Sequence, residues 1–263
     1  MVALRPRSPV TMPALQGRRA LVTGAGSGIG RQVALELASM GVAVILTGRR
    51  EGALMDVARA VRAAGGTAEC FGGIDLADSA QVEVLASHVT FDGDGVDIFV
   101  SNAGWESVAP FLDSREESWD RLLGVNLRAP IQLTHAVLPA MVERGWGRLV
   151  YVSSDAGRVG SKGEAVYAAA KSGLFGFSKT IAREAARAGV TSNVVCPGPT
   201  RTPLFESVEA DNRNLTAALT RRIPMGRLGE PSDVSGLITF LSSDRAGFIT
   251  GQTISVSGGL TMV

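Results

Sequence analysis

The chain has 263 residues, and 26 Lys and Arg against 25 Asp and Glu give it a formal net charge of +1. This balance gives no reason to expect nucleic acid or an anionic membrane as a partner. Two cysteines are too few for a disulfide framework or a metal cluster, and no apolar run reaches the ~20 residues that span a bilayer. We therefore expect a cytoplasmic protein with one large α/β domain and no metal.

The first part of the chain opens with residues 1–14, which contain three prolines and lack the apolar run of a signal peptide. They predict a disordered extension. Short apolar runs then alternate with helical periodicity. The predicted strands are Arg19–Thr23, Val42–Thr47, Thr67–Phe71 and Val96–Val100, and the predicted helices are Gly28–Met40, Glu51–Ala64 and Ser79–Val89, the last capped by Ser79.

The second part continues the alternation with longer helices. The predicted helices are Ser118–Glu143, Val166–Arg187 and Pro231–Leu241, and the predicted strands are Gly147–Ser153, Thr191–Cys196 and Thr253–Val256. Strand and helix in turn indicate a parallel sheet covered by helices on both faces, which is a single-domain doubly wound, Rossmann-type α/β fold. In such a sheet ligands bind at the carboxyl ends of the strands, where the strand order reverses.

A glycine-rich loop lies between the first strand and the first helix. It reads Thr23-Gly-Ala-Gly-Ser-Gly-Ile-Gly30, a T-G-x-x-x-G-x-G spacing. Glycines at this place let the backbone approach a pyrophosphate, and the helix N-terminus then faces the anion. A purely structural glycine turn is the alternative, which the position between strand and helix disfavours. The loop predicts cofactor contacts at Gly24, Ser27, Gly28, Ile29 and Gly30.

Five motifs in order resemble those of the short-chain dehydrogenase/reductase family, from about Leu15 to the C-terminus. They are the glycine loop, Asp75-Leu76, Asn102-Ala103-Gly104, Ser154 with Tyr167-Ala-Ala-Ala-Lys171, and Pro197-Gly198. Within the family the chain resembles the 2-hydroxycyclohexanecarboxyl-CoA dehydrogenases and, more loosely, the 3-oxoacyl-thioester reductases. The resemblance implies hydride transfer between a nicotinamide cofactor and a ketone or secondary alcohol.

The resemblance implies a catalytic group of four side chains. Tyr167 would act as general acid and base, and Lys171, four residues on, lies on the same helix face and would lower the tyrosine pKa. The chain holds 23 arginines but only three lysines, which hints that a compact ammonium is required here. Ser154 would hydrogen-bond the substrate oxygen, and it is favoured over Ser153 by its thirteen-residue spacing to Tyr167. Asn126 would hold a proton-relay water.

The same resemblance implies further cofactor contacts. They are Asp75 and Leu76 at the adenine, Asn102, Ala103 and Gly104 at the adenosine ribose, and Pro197, Gly198 and Thr202 at the nicotinamide, with Tyr167 and Lys171 shared with the catalytic group.

The end of the second predicted strand bears on the choice of cofactor. An acidic residue there suits NAD, whereas arginine suits the 2′-phosphate of NADP. The chain has Gly48 at the acidic position and Arg49 next to it. We therefore expect NADP, with NAD still possible, because Arg49 and Arg50 could also be a solvated helix start.

The expected substrate is a small carbonyl compound or acyl thioester, either a β-oxo or β-hydroxy acyl thioester or a cyclic ketone. An NAD-dependent alicyclic hydroxyacyl-CoA dehydrogenase is one alternative, and a catalytically silent dinucleotide sensor or scaffold is another. The segment 203–225 interrupts the alternation and predicts a substrate lid within a domain of residues 15–263. Family members usually pair through the helices near 122–142 and 166–174, which predicts a homotetramer.

Overall fold

The computed structural model describes residues 15–90, 95–209 and 215–263. The extension predicted for residues 1–14 lies outside the described residues. The first half contains β1 (Arg19–Thr23), α1 (Gly28–Ser39), β2 (Ala43–Gly48), α2 (Glu51–Ala63), β3 (Ala68–Gly72), α3 (Ser79–Thr90) and β4 (Ile98–Ser101). The second half contains α4 (Glu116–Leu123), a π-helical turn (Gly124–Arg128), α5 (Ala129–Arg144), β5 (Gly147–Val152), α6 (Ala156–Val159), α7 (Ala165–Ala185), β6 (Val190–Pro197), α8 (Pro203–Glu209), α9 (Leu215–Arg222), α10 (Pro231–Leu241) and β7 (Thr253–Val256). Short 3₁₀ turns lie at Phe111–Asp113, Ala186–Ala188 and Asp244–Ala246.

The strands form one parallel sheet in the order β3-β2-β1-β4-β5-β6-β7. The predicted fold class is confirmed. The chain leaves β1 toward one edge of the sheet and returns to β4 to build toward the other edge. The order therefore reverses between β1 and β4, and the crevice above their carboxyl ends is where a ligand of this fold binds.

The core has two parts, one on each face of the sheet. Alternate residues of β1 show the division, because Val22 packs with α1, α2 and α10 whereas Leu21 packs with α3, α5 and α7. All three helices on each face present apolar stripes to the strands. Because both faces are covered, the strands read as continuous apolar runs rather than alternating ones.

The predicted helical stretch Ser118–Glu143 is helical throughout, but it contains an irregular turn. A π-helical turn at Gly124–Arg128 separates α4 from α5. The turn brings Gly124 against the backbone of Ala77, where a Cβ would lie 3.3 Å from the Ala77 Cα. π-Helical turns occur mostly as single insertions at functional sites, and this one carries Asn126. The prediction of a long helical stretch is confirmed, but the π-helical turn was not foreseen, because the periodicity of the apolar residues does not reveal one extra residue in a helix.

The N-terminus of α3 differs from its prediction in one detail. The backbone N–H of Ala80 donates to Asp78 Oδ1 at 2.9 Å, so Asp78 rather than Ser79 supplies the capping oxygen. Both residue types favour this position, and the choice between two adjacent candidates depends on where the chain leaves β3.

Candidate active site

A cavity of about 1220 Å³ opens at the carboxyl ends of the strands. Of the residues predicted for the site, all but Gly30 and Asn126 line it. The sequence therefore placed its candidates in one cavity, although the roles of the individual residues stay predictions.

The glycine loop closes tightly over the end of β1. Gly24 has φ +65°, and a Cβ there would lie 2.9 Å from the Ala103 Cα. A Cβ on Gly30 would lie 2.4 Å from both the Gly24 carbonyl oxygen and the Asn102 side-chain nitrogen. Gly30 therefore serves the packing of the loop against the end of β4, behind the wall of the cavity.

The N-terminus of α1 fits the diphosphate of a dinucleotide. Ser27 precedes the helix in extended conformation, its side chain does not cap the helix, and the first turn holds no acidic residue. The first N–H groups of the helix are thus left to a ligand, and the helix dipole favours an anion. Gly26 and Gly28 allow close packing of the loop, since a Cβ would lie 3.1 Å from Ala53 at the first position and 3.1 Å from Thr202 at the second.

Asn102 and Thr23 bind the loop to the end of β4. The Asn102 side-chain amide donates to the carbonyl oxygen of Thr23 at 2.9 Å, and Thr23 Oγ1 accepts from the N–H groups of Asn102 and Ala103 at 3.0 Å each. The side chain of Asn102 thus fixes the shape of the cradle, while Asn102, Ala103 and Gly104 supply its wall.

Two arginines follow β2 in the wall of the cavity. Arg50 donates through Nη2 to the hydroxyl of Ser27 at 3.1 Å, which ties it to the glycine loop. Arg49 lies close enough to Asp75 that its charge lowers the pKa of that carboxyl. The carboxyl end of β2 therefore presents two guanidinium groups to the cavity, and position 48, where an acidic residue would suit NAD, is occupied by glycine.

Asp75 is engaged with a residue that sequence reasoning missed. Burial raises the pKa of its carboxyl, but the N–H of Ala77 and the Arg121 guanidinium outweigh burial and lower it. Arg121 reaches both Asp75 oxygens, at 3.3 and 2.9 Å, and its guanidinium lies 5.4 Å from the centre of the Trp105 ring. Arg121 thus bridges the predicted adenine region and the substrate side of the cavity.

The predicted catalytic side chains meet where β5 ends. Tyr167 and Lys171 lie one turn apart on α7, and both are almost fully buried. The Lys171 Nζ is 5.7 Å from the centre of the tyrosine ring. Burial, together with the charges of Glu106 and Glu164, raises the pKa of Tyr167 above its usual value, against a hydrogen bond with Ser154 that lowers it. The expected lowering of the tyrosine pKa by Lys171 is therefore wrong for the free protein, because burial dominates. Burial lowers the pKa of Lys171 to about 8.

The two adjacent serines take different positions, as strand alternation requires. Ser153 turns to α7 and donates to the carbonyl oxygen of Lys171 at 2.9 Å. Ser154 hydrogen-bonds Tyr167 and accepts from the N–H of Ala156 at 3.1 Å. The structure thus brings Ser154 to the tyrosine hydroxyl.

Asn126 lies behind this group, in the π-helical turn. Its side-chain nitrogen donates to the carbonyl oxygens of Trp105 at 2.7 Å and Leu122 at 3.0 Å, and its Oδ1 accepts from the Trp105 N–H at 3.3 Å. A Cβ on Gly104 would lie 3.3 Å from this Oδ1 and 3.7 Å from the Lys171 Nζ. Asn126 therefore holds the loop after β4 beside the lysine.

The segment after β6 closes the far side of the cavity. A Cβ on Gly198 would lie 2.8 Å from that of Ser257, so only glycine fits there. Thr202 packs against the glycine loop, where a Cβ on Gly28 would lie 3.1 Å from its methyl group. The predicted lid contains α8 and α9, from which Phe205, Leu219 and Arg222 reach the cavity.

Sequence reasoning missed a pair of carboxyl groups in the cavity. Glu106 and Glu164 hydrogen-bond each other, and burial and the charge of Glu164 raise the pKa of Glu106 to about 7. Burial also raises the pKa of Glu164, against hydrogen bonds from Ser161 and Glu106 that lower it. The two residues are 58 positions apart in the chain, and no short motif links them.

Within residues 15–90, 95–209 and 215–263, no helix is long and apolar enough to cross a membrane. In the same described ranges, no three His, Cys, Asp or Glu side chains are grouped as a metal would need.

Comparison with known proteins agrees with this geometry. The family model described as "Enoyl-(Acyl carrier protein) reductase" matches residues 24–261. The 3-oxoacyl-[acyl-carrier-protein] reductase FabG of Escherichia coli (strain K12) is 37% identical over 248 residues, which cover 94% of this chain and 99% of the relative. Nodulation protein G of Rhizobium meliloti (strain 1021) is 37% identical over 251 residues, covering 95% and 99%.

Solved structures show the same relationship. A putative NAD(P)-dependent gluconate 5-dehydrogenase from Beutenbergia cavernae with bound NADP superposes with a TM-score of 0.89 at 37% identity, covering 94% of this chain and 98% of that one. A putative short-chain alcohol dehydrogenase from Sinorhizobium meliloti 1021 gives 0.87 at 33% identity, covering 94% and 97%. The chain is thus an NAD(P)-dependent oxidoreductase of carbonyl and alcohol groups, and it belongs to the short-chain dehydrogenase/reductase family.

Proposed function

We propose that this protein is an NADP-dependent ketoreductase that acts on β-oxo or β-hydroxy acyl thioesters or on cyclic ketones. The observation that carries the proposal is that Ser154, Tyr167 and Lys171 share one cavity with the glycine loop and with Arg49. One end of this cavity can bind a phosphorylated dinucleotide, and the other can move a proton to or from a substrate oxygen.

The chemistry of the protein's own residues follows from their environment. When bound, the nicotinamide supplies or accepts the hydride. Ser154 and the Tyr167 hydroxyl donate hydrogen bonds to the substrate carbonyl, and Tyr167 gives its proton to the developing alkoxide. Because burial keeps the tyrosine protonated, the free protein is prepared for the reducing direction. The Lys171 ammonium stabilises the phenolate that results.

NADP is favoured over NAD by the charges at the end of β2. Arg49 and Arg50 line the cavity there, and Arg50 is held by Ser27 at 3.1 Å. A guanidinium can bind a 2′-phosphate through two parallel hydrogen bonds. The Beutenbergia cavernae protein, 37% identical, contains NADP in its solved structure, which supports the same choice here.

The thioester is favoured among carbonyl substrates by the relatives, of which several are named 3-oxoacyl-[acyl-carrier-protein] reductases. Exposed apolar side chains on or beside α4 and α5, including Leu123, Ile131 and Val142, support assembly of a homotetramer through this surface. We place the protein in the cytoplasm, in keeping with its composition.

The proposal is tested by titrating the protein with NADPH and NADH, followed by cofactor fluorescence, and by assaying reduction of acetoacetyl-CoA. We expect NADPH to bind at least tenfold more tightly than NADH. A preference for NADH would instead favour an NAD-dependent hydroxyacyl-CoA dehydrogenase. Binding of either cofactor without turnover of any ketone would indicate a dinucleotide sensor.

Tyr167→Phe tests the assigned proton donor. Removing the hydroxyl should lower kcat by about 10³-fold, which is within the range of general acid catalysis, while NADPH binding stays within twofold of wild type. Tyr151→Phe is the matched control, because Tyr151 is fully buried and its hydroxyl hydrogen-bonds Thr134 at 2.8 Å in the core. That variant should lose about 1 kcal/mol of stability and keep its kcat. Equal kcat in both variants would refute the assignment.

A further inference from the structure

The fold brings Glu106 and Glu164 into the wall of one cavity, where their carboxyl groups interact. Glu106 lies in the loop after β4, and Glu164 immediately precedes α7. The N–H of Ala109 donates to the carbonyl oxygen of Gly163 at 2.9 Å, and a Cβ on Gly163 would lie 2.9 Å from a Val108 methyl group. The two loops are therefore joined backbone to backbone, and the carboxyl pair is a fixed part of the cavity wall.

The pair is close to the reacting groups. Both carboxyls line the cavity that contains Tyr167, and both act electrostatically on its hydroxyl. Glu106 also interacts with the buried Lys171 ammonium. A substituent on the carbon next to the reacting carbonyl would therefore come into the neighbourhood of the pair.

Without a substrate, the buried or partly buried charged groups around the Tyr167 hydroxyl are the Lys171 ammonium, the carboxyl pair and Asp155, which also lines the cavity. Two carboxyls can hydrogen-bond each other only when they share a proton, which leaves one negative charge. The Lys171 ammonium compensates that charge. Ser161 donates to Glu164 at 2.7 Å and satisfies one of its oxygens. Lys162 and Arg222 also line the cavity, but both are exposed, so water screens them.

We infer that Glu106 and Glu164 determine specificity by admitting ketones whose second polar group is uncharged and by rejecting keto acids with a free carboxylate. A neutral ester or thioester carbonyl can accept the proton of the pair, whereas a carboxylate would add a second negative charge to a site largely shielded from water. This inference rests on the proposed ketoreductase function and assigns its substrate class more narrowly.

The test uses two substrates that differ in this charge. Ethyl acetoacetate and acetoacetate have the same reacting ketone, and kcat/KM is measured for each with NADPH at pH 6, below the raised pKa of Glu106 of about 7, so that the pair holds its proton. We expect the wild-type protein to prefer the ester by about 100-fold. In Glu106→Gln and in Glu164→Gln the preference should fall at least tenfold, chiefly because acetoacetate improves. Glu143→Gln, which removes an exposed carboxylate from α5, should leave the preference unchanged.

The outcomes separate the inference from the proposed function. A wild-type preference below threefold, or an unchanged preference in both folded glutamine variants, overturns the inference while ketone reduction itself still supports the proposed function. Failure of the wild-type protein to reduce either substrate overturns the inference, and if acetoacetyl-CoA and cyclohexanone are not reduced either, with NADPH or NADH, the proposed function is overturned as well. NADPH titration and thermal melting of each variant establish that it is folded, and two separate positions are tested so that the loss of one variant does not decide the result.

Discussion

The two ends of β5 each hold a buried cation, and the two are used in opposite ways. At the amino end, the Arg148 guanidinium donates to the carbonyl oxygens of Gly147 at 2.9 Å, Gly189 at 3.1 Å and Ser243 at 3.3 Å. It also stacks on the Trp146 ring at 4.2 Å. At the carboxyl end, the Lys171 Nζ donates to the carbonyl oxygen of Val152 at 2.9 Å.

The difference indicates that Arg148 serves the stability of the fold, whereas Lys171 is placed to act on a ligand. Arg148 is held by fixed protein acceptors and by Asp244 at 3.4 Å, so its charge stabilises the junction of the strands and the end of α10. Lys171 is as deeply buried, yet within the described part of the chain its one hydrogen bond is to Val152, and it lines the cavity. Burial without full compensation is typical of side chains whose role is toward a ligand.

The largest expected effect comes from Lys171→Met. Loss of the ammonium beside Tyr167 should lower kcat by about 10³-fold, because the phenolate loses its compensating charge. The variant should nevertheless be more stable at pH 7. The pKa of Lys171 is lowered to about 8 in the folded protein, so the buried charge destabilises the fold below pH 8 and is relieved as the pH rises from 8 to 10.5.

Urea unfolding at pH 7 and at pH 9.5 measures this gain, which should be on the order of 2 kcal/mol at pH 7 and smaller at pH 9.5. A variant that is less stable than wild type at both pH values would contradict the contrast between the two ends.

Arg148→Met should instead lower the stability of the protein and leave its kcat unchanged. Removal of the guanidinium takes a hydrogen-bond donor from the carbonyl oxygens of Gly147 and Ser243 in the core and of Gly189 at its edge, which should cost about 3 kcal/mol of unfolding free energy. The kcat of the folded protein should stay within twofold of wild type, since Arg148 is at the far end of the sheet. Urea unfolding and an assay below the transition check both parts, and a large fall in kcat would show that the two ends are coupled.

A smaller effect is expected from side chains added to glycines at the two ends of the sheet, because the room for a Cβ differs between them. At the carboxyl end a Cβ on Gly48 would find its nearest atoms at 3.9 Å, whereas at the amino end a Cβ on Gly147 would lie 2.7 Å from Met141. Gly48→Asp should therefore fold normally and shift the NADPH-to-NADH affinity ratio about 100-fold toward NADH, because its carboxylate repels the 2′-phosphate.

Gly147→Ala is the matched glycine control and should destabilise the protein while leaving the affinity ratio unchanged. Titrations with NADPH and NADH measure the affinity ratio of each variant, and thermal melting measures its stability. An unchanged ratio in Gly48→Asp would mean that the end of β2 does not contact the 2′ position.

The smallest effect concerns the stability of the carboxyl pair. Glu106 has a pKa raised to about 7 from its ordinary 4.5. The folded protein therefore holds a proton that the unfolded chain loses, and stability falls as the pH rises from 4.5 through 7. Glu106→Gln should gain on the order of 2 kcal/mol at pH 8 and nothing at pH 4.5. Equal changes in unfolding free energy at both pH values, measured with urea, would show that ionisation of Glu106 does not destabilise the folded protein.

Much of this molecule is predictable from local sequence patterns. The bounds of β1, α10 and β7 were predicted to the residue, and the other strands to within two, because apolar runs and glycine turns are local signals. The glycine loop and the Tyr167–Lys171 spacing are local as well. The π-helical turn around Asn126 and the cap at Asp78 were missed because each depends on where neighbouring elements pack.

The sequence by itself determined the order of the elements and the doubly wound fold class, since these depend on local apolar periodicity and turn residues, and it predicted the candidate catalytic side chains from short motifs. Only the tertiary structure decided that Glu106 faces Glu164, that Arg121 bridges Asp75 and Trp105, and that Gly30 lies behind the cavity wall. The physical reason is that burial, pKa and charge balance depend on partners from distant parts of the chain, which meet only where the strands of the sheet end.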